Sequence, residues 1–229
     1  MAPNQHPAPE DGRAARSRAT RARVARAAAE LFVEAGYSTT SVQAIAERAG
    51  VSAQTVYYTF KTKSAVLTAA LDLAVAGDDA PLPTLERPWV HDALAVSDPL
   101  DQLRRQADGA AAVFARVAPL LEAVRSAASA DPDLAEVWRT NTEQRLTVQR
   151  VFTDALADKG ALRPDLAPDQ AADIALAVLS PEVYTLLTAG RGWTAERWRE
   201  WAADALRRQL TDLPAPEGGA GGKGPAGGA

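Results

Sequence analysis

Residues 39–63 read TTSVQAIAERAGVSAQTVYYTFKTK, and this stretch decides the fold of the N-terminal part of the chain. Its first half places apolar residues at the spacing of one helical face, at Val42, Ile45, Ala46 and Ala49. Gly50 then supplies the left-handed backbone conformation that a tight turn needs. A second short helix follows at once, so the pattern is typical of a helix-turn-helix.

Hydroxyl side chains stand where each of these helices begins. Thr40 is placed to cap the first helix, and Gln43 lies three residues further on, which is the spacing of a capping box. Ser52 is placed to cap the second helix. Gly36 precedes the motif and marks the end of an earlier helix that starts near Arg16.

The second helix, SAQTVYYTF, has a polar outer face. Val56 and Phe60 are one turn apart and are predicted to point inward, so Gln54 and Tyr58 point outward. Gln and Thr side chains bond base edges in the DNA major groove, and Tyr hydroxyls reach phosphate oxygens. Tyrosines at helical spacing are more often ordinary packing residues, so the indication of DNA binding comes from the ordered combination.

The charge is divided unevenly along the chain. The whole sequence has a net charge of −4, but residues 1–63 hold nine basic and five acidic groups, a balance of +4 that leaves −8 for the remainder. Lys61 and Lys63 stand just before the next helix, near its amide-rich N-terminus. A basic head on an acidic body suits phosphate binding at one end, although an arginine-rich helix can also be a simple solvated face.

The stretch from residue 27 to residue 67 resembles the TetR family of transcriptional regulators. The resemblance implies an all-helical homodimer with two DNA-reading heads, each a three-helix helix-turn-helix unit joined to a C-terminal helical domain for ligand binding and dimerisation. It also implies base reading by the start of the second helix, and phosphate contact by Tyr57 and Lys63. Ser64 departs from the acidic residue common in the family, and we expect little consequence. The predicted DNA contacts are Thr40, Ser41, Ala53, Gln54, Thr55, Tyr57, Tyr58, Thr59, Lys61 and Lys63.

The rest of the chain also carries helical signals. We expect a disordered arm over 1–15, a DNA-binding domain with its connecting helix over 16–76, a regulatory domain over 77–213 and a disordered Gly/Pro-rich tail over 214–229. Within the regulatory domain we predict a short helix at 89–96 and one opening at Asp98-Pro99. Further helices are predicted to open at Pro119, to run from Asp131-Pro132 to about Lys159, and to follow Thr194, with a kink at Pro181.

One predicted body helix mixes polar with apolar side chains on the same face. Asn141 and Arg145 share the side of Trp138, and polar groups there must find partners. A hydrogen bond or ion pair between helices is one explanation, and a small-ligand pocket in the bundle is the other. The predicted pocket consists of Phe114, Trp138, Asn141, Arg145 and Tyr184.

The last two long helices have wide apolar faces, which suit an isologous two-fold interface. The predicted dimer interface consists of Leu179, Val183, Leu187, Trp198, Trp201 and Leu206. The segments AGDDAPLPTLERPWV, DPDLAEVW and SPEVYTLLTAGRGW also resemble one TetR subgroup, which we take to be of actinobacterial type.

Composition excludes several kinds of chemistry. The chain has no cysteine and only two histidines, His6 and His91, so thiol chemistry, a histidine metal site and a catalytic triad are not expected, and we expect no cofactor. We expect no membrane span or secretory signal, and hence a cytoplasmic protein. The favoured function is a dimeric repressor that an unknown small-molecule inducer releases from a palindromic operator. A regulator without a ligand is the alternative, and a helical-bundle enzyme or a helical adaptor is more remote.

Overall fold

The computed structural model describes residues 12–78 and 82–215, and these contain helices and no strand. Four helices form the N-terminal part: α1 (Gly12–Ala35), α2 (Val42–Ala49), α3 (Ala53–Phe60) and α4 (Lys63–Ala76). The turn between α2 and α3 passes through Gly50 at φ 65° and ψ 39°, the left-handed conformation predicted there. The predicted helix-turn-helix, and with it the all-α fold class, is confirmed.

A larger helical body follows. A 3-10 turn (Thr84–Glu86) precedes α5 (Pro88–Ala95), and then come the two longest helices, α6 (Pro99–Ala127) and α7 (Pro132–Asp158). The chain ends in α8 (Pro168–Val178), α9 (Pro181–Thr185), a π-helical turn (Leu186–Gly190) and α10 (Ala195–Leu210). Asp98, Asp131 and Thr194 cap their helices as predicted.

Two predicted boundaries are wrong. Helix α1 begins at Gly12 rather than at Arg16, so residues 12–15 are helical and do not belong to an arm. Pro119 does not open a helix, because α6 continues through it. A proline in a helix interior loses one backbone hydrogen bond, and the neighbouring residues Val117, Ala118, Leu120 and Leu121 are all buried, so packing holds the helix together there. The predicted arm over 1–11 and most of the tail, 216–229, lie outside the described residues.

The head and the body share one hydrophobic core. Phe32, Ile45, Val56 and Phe60 close the head around α4, and the same cluster of buried side chains continues into α6, α8 and α10. Helix α4 therefore links the two parts. A second, smaller cluster lies under α5 and contains Val90, Ala93 and Phe152.

Helix α4 is held at both of its ends by polar contacts with the body. At its start, Ser64 Oγ donates to Asp133 Oδ2 on α7 at 3.1 Å. At its end, Arg116 on α6 donates to the carbonyl oxygens of Ala74 at 2.9 Å and Val75 at 3.1 Å. The last carbonyls of a helix carry partial negative charge, which a guanidinium stabilises.

One segment of the described residues, Pro168–Gly190, is apolar and long enough to suit a membrane span. Its helix is interrupted at Leu179 and Ser180, just before Pro181, as the predicted kink requires. Ala171 and Ala175 are fully buried in the bundle. We therefore interpret the segment as a core element of the body.

Candidate functional site: the helix-turn-helix face and the body

The turn between α1 and α2 places two neighbouring hydroxyl groups differently from the prediction. Ser41, not Thr40, caps α2, because its Oγ accepts from the backbone N–H of Ala44 at 3.0 Å. Thr40 is buried, and its hydroxyl contacts the carbonyl oxygens of Gly36 and Leu31 at 2.8 and 3.1 Å. The side chain of Thr40 therefore holds the turn together and is removed from the set of predicted phosphate contacts.

Helix α3 presents the predicted outer face. Val56 and Phe60 are buried in the head, whereas Gln54 is exposed and Tyr57 and Tyr58 are 54% and 79% exposed. Burial of aromatic rings is normally favourable, so two adjacent exposed tyrosines on one short helix indicate a surface that binds something. The Nζ atom of Lys61 lies 5.1 Å from the centre of the Tyr58 ring and adds positive charge to the same surface.

The threonine hydroxyls of α3 are less available than the sequence suggests. Ser52 caps the helix as predicted, and its Oγ lies 2.8 Å from Thr55 Oγ1. Thr59 Oγ1 donates to the carbonyl oxygen of Thr55 at 2.8 Å. Of the three residues that begin α3, Gln54 is exposed, whereas Ala53 and Thr55 are partly buried.

Lys63 is turned into the head. Its Nζ donates to the carbonyl oxygens of Tyr37 at 2.9 Å and Thr40 at 3.1 Å, and it lies 4.1 Å from the centre of the Tyr37 ring. Burial lowers the pKa of this ammonium group. Lys63 is therefore not the free phosphate clamp that the sequence predicted, because two of its donors fasten α4 to the turn before α2.

The head of this chain matches a known family of bacterial regulators by sequence. Residues 24–70 match the sequence profile of the family described as bacterial regulatory proteins, tetR family. The "Uncharacterized HTH-type transcriptional regulator YdeS" of Bacillus subtilis (strain 168) is 28% identical over 177 residues, which are 76% of this chain and 82% of the relative. Residues 24–70 of this chain thus have the sequence of a TetR-type DNA-binding head, and most of the chain is similar to a transcriptional regulator. Helix α3 lies inside the matched residues and forms the second helix of the helix-turn-helix.

Solved structures share the fold beyond the TetR head. The SmeT–triclosan complex superposes with a TM-score of 0.65 at 21% identity and covers 87% of this chain and all of the other. A transcriptional regulator from Saccharomonospora viridis in complex with choline gives a TM-score of 0.65 at 18% identity, covering 85% of this chain and 99% of the other. The body thus has the same helical architecture as two proteins solved with small molecules.

The five predicted pocket residues fall into two groups. Phe114 and Tyr184 pack with Trp198 in an aromatic cluster whose ring centres are 5.1 to 5.8 Å apart. Trp138, Asn141 and Arg145 form the second group along α7, where Arg145 Nε donates to Asn141 Oδ1 at 3.1 Å. The hydrogen bond between Asn141 and Arg145 lies within α7, whereas the ion pair of Arg145 with Glu182 at 3.9 Å joins α7 to α9, as the first explanation predicted. The sequence did not indicate Glu182 of α9, whose carboxylate faces Arg145.

The predicted dimer interface needs correction. Leu179, Trp198 and Leu206 are buried inside the single chain, so they offer no surface to a partner. Val183, Leu187 and Trp201 keep part of their surface. An open groove of about 540 Å³ runs between α8 and α10 instead, and Trp201 lines it together with Ile174, Ala177, Val178, Asp204, Ala205, Arg208 and Gln209.

Proposed function

We propose that this protein is a dimeric repressor that binds a palindromic operator in the cytoplasm and leaves it when a small molecule binds the body. The observation that carries the DNA-binding part is the exposed outer face of α3, with Gln54, Tyr57 and Tyr58 in the open. Two heads related by a two-fold axis read two half-sites about one helical turn apart, or a multiple of it. The segments AGDDAPLPTLERPWV, DPDLAEVW and SPEVYTLLTAGRGW support an actinobacterial-type subgroup.

The groove between α8 and α10 supports dimerisation. It combines apolar side chains such as Ile174 and Trp201 with Asp204 and Arg208, which form an ion pair at 2.6 Å. An apolar centre with a charged rim is the usual composition of a protein interface. A second copy placing its own α8 and α10 on this face would bury the groove on both subunits.

The aromatic cluster supports a ligand site in the body. The indole Nε1 of Trp198 is buried and has no hydrogen-bond partner among the described residues. An unpaired buried donor is costly, so an oxygen acceptor entering beside it would be stabilised. The adjacent π-helical turn at Leu186–Gly190 is a second reason to place the ligand site here, since π-turns often occur at functional sites. Two structural neighbours were solved in complex with triclosan and with choline, which supports a small-molecule site in the body.

Selection of bound sites from random DNA tests the DNA-binding proposal. The wild-type protein is expected to select a palindrome, and Gln54→Ala is expected to relax the base preference at one position in each half-site, by about 1–3 kcal/mol. Gln144→Ala, an exposed glutamine on α7, is the matched control. Identical selected sites for wild-type and Gln54→Ala would contradict base reading by Gln54.

Light scattering tests the dimer. Ala205→Asp puts a charge into the groove and is expected to give a monomeric mass at micromolar concentration, because burying an unpaired carboxylate across an interface is unfavourable. Ala112→Asp, on an exposed face of α6, is the matched control and should remain dimeric. A dimeric Ala205→Asp would show that the subunits meet on a different face.

A further inference from the structure

The guanidinium of Arg145, on α7, is largely buried, and few contacts replace the water that it has lost. Its side chain is only 15% exposed, and burial lowers the pKa of the group. A buried cation is stable only where hydrogen bonds and an opposite charge replace the water it has lost. The hydrogen bonds and the ion pair of Arg145 therefore indicate which further contact its guanidinium could make.

One edge of this guanidinium has no close partner in the described part of the chain. Nε donates to Asn141 Oδ1 at 3.1 Å, and Nη2 makes a long 3.3 Å bond to Thr142 Oγ1. Nη1 donates no hydrogen bond within residues 12–78 and 82–215, and its ion-pair partner, Glu182 Oε2, is 3.9 Å away. A guanidinium edge normally grips a carboxylate through two parallel hydrogen bonds, and here those bonds are missing.

The surroundings of this edge are aromatic on one side and acidic on the other. The Trp138 ring centre lies 5.6 Å from Arg145 Cζ. The Glu182 side chain is 42% exposed, so it is free to swing into water. Its charge also acts on Arg125 of α6, which already has a partner in Glu122. A second positive group thus stands near the place that Glu182 occupies.

We infer that Arg145 binds the carboxylate of a small, flat apolar acid, and that Glu182 stands in for this carboxylate when no ligand is present. The inference rests on the proposed ligand response and names its chemical class. The acid's two oxygens would pair with the unpaired guanidinium edge, and its ring would lie against Trp138. A monoanion fits because the site already accommodates one carboxylate, whereas a dianion costs more to desolvate.

Benzoate and benzamide are the matched probes, since they differ in charge and share the flat ring. Ligand-detected NMR titration of the full-length protein is expected to show benzoate binding at least about tenfold more tightly than benzamide. Arg145→Gln should abolish this preference, and Arg145→Lys, which keeps the charge, should weaken benzoate binding several-fold. Glu182→Gln removes the competing carboxylate and should tighten benzoate binding about three- to tenfold.

Arg139→Gln is the control for general attraction of anions, because Arg139 is an exposed arginine on the same helix. Its benzoate affinity should equal that of the wild type. The inference is overturned if benzoate and benzamide bind equally, if Arg139→Gln and Arg145→Gln lose the same affinity, or if neither the wild type nor Glu182→Gln binds benzoate at millimolar concentration.

Operator binding measured in the same titrations separates this inference from the proposed function. Benzoate that binds at Arg145 but leaves operator affinity unchanged would support the carboxylate site and contradict the inducer role of that site. Operator release by benzamide that persists in Arg145→Gln would support induction by a small molecule and overturn the carboxylate site.

Discussion

Lys61 and Lys63 flank Thr62 and have opposite environments. Lys61 is exposed and has φ 68° and ψ −47°, and the N–H of Thr62 donates to the carbonyl oxygen of Phe60 at 2.8 Å across it. This is a γ-turn of the strained form, and Lys61 is the one non-glycine with positive φ in the described ranges. Lys63 faces inward. Lys61 therefore adds positive charge to the surface, whereas Lys63 attaches α4 to the turn before α2.

This difference predicts distinct salt dependences for two neutral variants. Lys61→Gln should lower the slope of log K against log salt by about one unit, as the loss of one phosphate contact does. Lys63→Met should leave the slope nearly unchanged and lower the free energy of unfolding by about 1–3 kcal/mol, because two carbonyl groups lose their donor. Fluorescence anisotropy over a salt series and urea denaturation measure the two effects. Equal slope changes in both variants would show that Lys63 does reach phosphate.

Tyr37 predicts how the head responds to alkaline pH. Burial, and then the charges of Asp131 and Asp133, raise the pKa of its phenol from 10.0 to about 12. The folded state thus favours the neutral phenol, so this contribution to stability is complete below pH 10 and is lost as the pH rises towards 12. Tyr37→Phe cannot ionise, and its unfolding free energy should fall less than that of the wild type over this interval. If the unfolding free energies of the wild type and Tyr37→Phe fall in parallel with pH, ionisation of Tyr37 is not the cause of the loss of stability.

Among the helices, α5 packs on the body through a small apolar cluster to which Trp89 adds an aromatic contact. A Cβ atom on Gly109 of α6 would lie 2.3 Å from the ring of Trp89, so the ring packs directly on the glycine backbone. Trp89 also stacks on Phe152, with ring centres 6.2 Å apart. Only glycine at position 109 leaves room for this contact.

Gly109→Ala is therefore expected to displace Trp89 and destabilise the fold by about 1–3 kcal/mol. Hydrogen exchange should rise selectively over α5, where the docking is lost. Gly190→Ala is the matched control, since its Cβ would meet Leu186 Cδ1 at an ordinary 3.8 Å. Unchanged exchange over α5 in Gly109→Ala would mean that other contacts hold this helix.

The helices differ in how far their sequence predicts their role. Val56 and Phe60 were placed inward correctly because the 3.6-residue period alone determines which side of α3 is buried. The period does not say which element covers an apolar face. For this reason the sequence predicts a partner subunit at Trp198 and Leu206, although both side chains are buried inside their own chain. The side chains of Thr40 and Lys63 bond to carbonyl oxygens that lie up to 26 residues away in the sequence. A local sequence pattern does not predict contacts over such a separation.

For the molecule as a whole, the contacts between head and body are concentrated on α4. Ser64 donates to Asp133, and its hydroxyl also lies 2.9 Å from that of Thr62, the cap of α4. The departure of Ser64 from the acidic residue common in the family therefore has a consequence that we did not expect from the sequence. A carboxylate at this position would repel Asp133 and weaken the attachment of the head.

Polar contacts of unequal strength attach the two ends of α4 to the body, so α4 can tilt about its more firmly held end. Its 14 residues give it a length of about 21 Å. Arg116 at one end donates two hydrogen bonds to α4, whereas Ser64 at the other end donates one to Asp133, so we expect the Ser64 end to release first. A tilt of about 10° around the Arg116 clamp moves the free end by between about 3 and 4 Å, which is one base-pair step along DNA. Helix α3 directly precedes α4 in the chain, so we expect α3 to move with it, and in the proposed dimer a displacement of this size would take a head out of register with its half-site.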